Sequence, residues 1–137
     1  MRSRLVTAVR RWCVLGGSVA LIATQGACDD NTLAPPRECM GPISLTVSSG
    51  TPPQFTWTAA CAVARVVVLE PPASDLTSIV WDVHSAPPRI LSPVRYGVRP
   101  SGATEEHPPE ALRAGDTYHV RVYSDAQIVI GSASFTP

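Results

Sequence analysis

Between residues 39 and 137 apolar and polar positions alternate with period two in short runs broken by proline or glycine, the pattern of half-buried antiparallel strands. Seven runs stand out: Ile43–Val47, Gln54–Thr58, Val63–Leu69, Ser78–His84, Pro93–Val98, Thr117–Ser124 and Ile128–Phe135. The intervening stretches SSGTPP, EPPASD, SAPPR, RPSGATEEHPPE and the turn at 125–127 carry the residues that reverse a chain. The 14 prolines forbid long uninterrupted helices over most of the chain. Length leaves room for one domain. An all-β sandwich of two antiparallel sheets is therefore the predicted fold.

The first 27 residues follow a different rule. A basic, acid-free start carries Arg2, Arg4, Arg10 and Arg11, an apolar run covers 12–23, and the small residues Gly26 and Ala27 precede Cys28. This is the order of a cleaved signal peptide, too short in its apolar part for a membrane-spanning helix. The sequence VRRWCVL around Arg10 and Arg11 fits a twin-arginine motif poorly. Gln25, Gly26, Ala27 and Cys28 together resemble the lipobox of bacterial lipoproteins, with Gln25 where that family usually has an aliphatic residue. The resemblance implies cleavage before Cys28 and lipidation of that cysteine. Ordinary cleavage after Gly26, releasing a soluble protein, is the alternative. Cysteine arithmetic favours lipidation: without Cys13, lost with the leader, three cysteines are left, and lipidating Cys28 leaves Cys39 and Cys61 as a pair. Residues 28–38 then read as a short polar tether of at most about 33 Å. From Cys28 onward 7 Arg and no Lys stand against 11 acidic residues, a net charge of −4 that argues against nucleic acid as a partner.

Two segments make the fold expectation more specific. In FTWTAACAVARVVVLE, Phe55 and Trp57 share one face of a strand that leads through a short loop into a valine-rich strand. In LRAGDTYHVRVYS, Leu112 and a glycine turn precede the alternating Tyr118, Val120 and Val122. Residues 36–137 resemble a fibronectin type III domain, a seven-stranded immunoglobulin-like sandwich, on these two motifs. The resemblance implies that Trp57 fills the core and that the Tyr118 hydroxyl bonds backbone at the corner after Leu112. The first two strands form a hairpin whose turn centres near Gly50, which sets Cys39 and Cys61 across its open end and predicts a disulfide.

No sequence motif of nucleophilic, zinc or phosphate chemistry is present, and no catalytic residue, metal or cofactor is expected. Glu105, Glu106, His107 and Glu110 carry ligating side chains but read as a solvated loop. His84, His119, Asp75 and Asp82 read as surface or turn residues. Strand parity leaves Val67, Leu69, Tyr123, Ile128 and Ile130 on outward faces of three neighbouring strands, an expected exposed patch for a partner. The expectation is a non-enzymatic lipoprotein of the bacterial cell envelope, on the periplasmic or outer surface. It would be held on the lipid bilayer through Cys28 and bind or scaffold an envelope protein or glycan. A soluble secreted accessory or metal-binding protein is the alternative.

Overall fold

The computed structural model describes residues 36–71 and 78–137. The leader 1–27, Cys28, the tether up to residue 35 and Asp75 lie outside the described residues. Among the described residues eight strands follow one another: β1 (Leu45–Val47), β2 (Gln54–Trp57), β3 (Arg65–Leu69), β4 (Ile79–His84), β5 (Val94–Arg95), β6 (Thr104–His107), β7 (Tyr118–Tyr123) and β8 (Val129–Phe135). They form two antiparallel sheets, one ordered β1-β2-β5 and the other β6-β4-β3-β7-β8. The protein is an all-β sandwich. All seven expected strands are present, and β6 is an eighth.

Strand β6 escaped the pattern because THR-GLU-GLU-HIS has no apolar alternation to read. It pairs with β4 at the sheet edge, where charged side chains discourage further strand addition. Glu105 turns inward far enough to accept a hydrogen bond from Trp81 Nε1 at 2.9 Å.

The core lies between the sheets. Phe55, Trp57 and Val94 of the smaller sheet meet Val66, Val68, Trp81, Val83, Tyr118, Val120 and Val122 of the larger one. Aromatic rings run through its middle: Phe55 lies 6.4 Å from Trp81 and 5.6 Å from Phe135, and Trp81 meets Tyr96 edge-on at 5.3 Å. Their large apolar areas dominate the burial that drives folding. Gly131 permits a close crossing near the sheet edge, where the lead-in to β1 donates from Ile43 N–H to Ile130 carbonyl at 2.7 Å. A Cβ there would lie 2.9 Å from both Ile43 Cγ1 and Val122 Cγ2, closer than side chains pack.

Cys39 and Cys61 form the expected disulfide, with Cα atoms 5.0 Å apart. The geometry that joins them differs from a simple hairpin. The ladder pairs Leu45 with Trp57 and Val47 with Phe55, and continued outward that register would set Cys39 opposite Val63. Instead the incoming chain runs parallel to the residues just before β3, with Glu38 bridged to Ala62. Cys39 N–H donates to Ala62 carbonyl at 2.9 Å and Ala62 N–H to Arg37 carbonyl at 2.7 Å. The bridge therefore fastens the entry of the chain to the start of the central strand. Replacing both cysteines by alanine is expected to lower stability by about 3 kcal/mol, the loop-closure value for this spacing. Urea unfolding of the oxidised protein and the double variant checks it.

Candidate functional site

The expected apolar patch on the outer face of the larger sheet does not form. Val67 and Leu69 are fully buried and, with Tyr123 and the partly buried Ile79, make a second small apolar cluster outside the main core. Parity along β3 is as expected; exposure is not. β3 is the central strand of five, and each outward residue is flanked on both sides: Val67 by Asp82 and Arg121, Leu69 by Ile79 and His119. Arg65 lies over the Tyr123 ring, its guanidinium carbon 5.7 Å from the centroid. Ile130 is also buried, at 9% exposure, and belongs to the main core. A β-bulge explains the reversal: Gly131 pairs with Val122 and Val129 with Tyr123, so Ile130 is the extra residue and turns inward while Val129 turns out. Ile128 alone of the five is exposed, at 62%.

Ile128 instead belongs to a hollow at the end of the sandwich where the chain enters. It has a volume of about 460 Å³ and is lined by Glu38, Cys39, Met40, Ser124, Ile128 and Ile130, among others. Met40 stands 92% exposed on its rim. The Glu38 carboxylate closes one side by accepting the Asp125 N–H at 2.8 Å. The β7–β8 turn is held in place by Gln127 N–H to Ser124 carbonyl and by Ser124 N–H to Ile128 carbonyl, both 3.0 Å. Periodicity gave no sign of Met40, which precedes the first strand; its position next to the disulfide was the available signal.

Several titratable groups are engaged in local pairs. Asp82, expected at the surface, is 2% exposed and accepts two hydrogen bonds from Arg65, Nε to Oδ1 at 2.9 Å and Nη2 to Oδ2. Its outward position beside β3, with Arg65 two residues from Val67, makes it the counter-ion that lets a charge sit over an apolar cluster. These hydrogen bonds push the Arg65 guanidinium above its ordinary value. A shallow depression joins Arg65 with His84, Glu106 and Gln127. The four residues of the acidic loop separate: Glu105 serves Trp81, Glu106 faces this depression, and His107 meets Glu110 at 3.1 Å. Among the described residues no group of three or more ligating side chains assembles. His119 Nδ1 pairs with the Ser134 hydroxyl at 3.0 Å.

Two tyrosines carry structural hydrogen bonds. Tyr118 accepts the Arg113 N–H at 3.0 Å, at the corner after Leu112. Tyr96, which the sequence did not single out, places its hydroxyl 3.1 Å from Val80 carbonyl and 2.7 Å from Glu110 carbonyl, tying the chain after β5 to β4. Burial pushes its ionisation well above the ordinary value of 10.0.

Comparison with protein-family models, with curated proteins and with solved structures finds no match.

Two predictions follow from this placement. Val67→Glu forces a carboxylate into a fully buried apolar cluster, beside the Asp82 carboxylate, and is expected to cost of order 4 kcal/mol, whereas Ile128→Glu stays within about 0.5 kcal/mol of the parent; thermal melts separate the two. Tyr96 ionises in the unfolded chain near its ordinary pKa of about 10 but resists ionisation when folded. Its contribution is therefore full below pH 10 and declines as pH rises through and above it. Tyr96→Phe should lose about 1 kcal/mol at neutral pH and show a shallower alkaline decline in urea titrations than the parent.

Proposed function

We propose that the chain is an exported lipoprotein, cut before Cys28 and held on a bacterial envelope membrane by acyl chains on that cysteine. Its domain is a fibronectin type III-like module that binds or scaffolds an envelope protein or glycan and performs no catalysis. The observation that carries this reading is the Cys39–Cys61 disulfide. It uses both cysteines of the domain, so Cys28, directly after the leader, is the odd thiol, and a disulfide belongs to an oxidising compartment. Lipidation gives the odd thiol a use.

Several features support the module's resemblance. One sheet holds the first, second and fifth strands and the other holds the third, fourth, seventh and eighth, with β6 as an added edge. Trp57 is buried, Leu112 packs on the core and Tyr118 makes its corner bond to backbone. The titratable side chains of this sheet serve structural neighbours: Asp82 pairs with Arg65, Glu105 accepts from Trp81, and His119 meets the Ser134 hydroxyl on the adjacent strand. Acyl chains give durable anchoring because each buried methylene adds about 0.8 kcal/mol, and several chains act together.

Fractionation of cells making the full chain tests the reading. The parent is expected in the membrane fraction, released by detergent and not by salt, and Cys28→Ala in the soluble fraction. A parent protein that is soluble throughout would overturn the anchor and favour the diffusible form.

A further inference from the structure

We propose that the end of the sandwich at which the chain enters is a bilayer-contacting face, with Met40 and Ile128 as its inserting side chains. This rests on lipid anchoring at Cys28. Met40 and Ile128 are among the few large apolar residues left exposed, at 92% and 62%, and they line one hollow with buried Ile130 behind them. The length of chain outside the described domain selects the occupant. From Cys28 to Pro36 the connection reaches at most about 29 Å. A domain of about 100 residues, with a radius of gyration near 13 Å, is about that wide. The anchor therefore cannot hold the domain clear of the membrane by more than its own width, and residues 38–40, where the connection leaves, are the part drawn toward the lipid.

The local chemistry suits an interface. Exposed Arg37 offers a cation to lipid phosphates, and the Glu38 carboxylate is already hydrogen-bonded to the Asp125 N–H. The disulfide at Cys39 fixes the backbone beside Met40, so little ordering is needed on contact. Two side chains would bind a bilayer weakly from solution. On a short tether the same contact is intramolecular, at an effective concentration in roughly the millimolar range, and weak insertion suffices.

Tryptophan depth measurement tests this. Trp57 and Trp81 are buried and give a constant background. Membrane-extracted parent protein, Met40→Trp, Ile128→Trp and Ser49→Trp are reconstituted into phosphatidylethanolamine and phosphatidylglycerol vesicles containing brominated lipid. Ser49 lies in the β1–β2 turn, past the far end of β1. The added emission of Met40→Trp and Ile128→Trp is expected to be quenched several-fold more than that of Ser49→Trp, as for side chains about 5–10 Å into the interface. Equal quenching at all three positions overturns the proposal while leaving the anchor intact, provided the protein floats with the vesicles. A parent that fails to float shows that the anchored reading has failed, and the proposal falls with it. A dimer in detergent that Ile128→Glu dissociates would assign the face to a second copy and likewise overturn it.

Discussion

The Cys39–Cys61 disulfide is the constraint on which the arrangement of this protein depends. It joins the point where the chain enters the domain to the residues that open the central strand β3, and the parallel bridge of Glu38 to Ala62 lies beside it. The entry is thereby fixed at one end of the sandwich, next to the β7–β8 turn, because Glu38 also accepts from Asp125. Residues 36–38, the described chain on the N-terminal side of Cys39, lie at that end. The same bond leaves no thiol of the domain to pair with Cys28.

β3 is the second organising element. Its two faces lie in separate apolar clusters, Val66 and Val68 toward the smaller sheet and Val67 and Leu69 on the outer side. A strand buried on both faces reads as a continuous apolar run, and Val66–Leu69 is one. The outer cluster tolerates a charge above it because Arg65 is satisfied twice, by the Asp82 carboxylate and by the face of Tyr123. The outer face of the larger sheet is therefore a closed surface at its centre. The two most exposed large apolar side chains, Met40 and Ile128, lie elsewhere, at the entry end.

Much of this was legible in the sequence, and the failures have definite causes. Period-two alternation located seven strands because each has one face on a core, and it missed β6 because an edge strand of Thr, Glu and His has none. The motifs around Trp57 and Tyr118 placed two buried aromatics and one backbone bond correctly. Parity found the outward residues of β3 but could not say that flanking strands would cover Val67 and Leu69, because that depends on which strands are neighbours. A single bulge residue inverted Ile130 and Val129, a one-residue event that alternation cannot register. The disulfide was expected from a hairpin register and formed through a parallel bridge, so the pair was legible and its geometry was not. The entry hollow was illegible, since it joins residues 38–40 to 124–130 across the whole length of the chain.

One cysteine is proposed to anchor the protein while two others lock the domain. Intact mass spectrometry of the protein extracted from the envelope, before and after reduction, tests both halves at once. The expected mass is that of residues 28–137 plus acyl chains, rising by two hydrogens on reduction. A mass without acyl chains, or one that does not change on reduction, would contradict it.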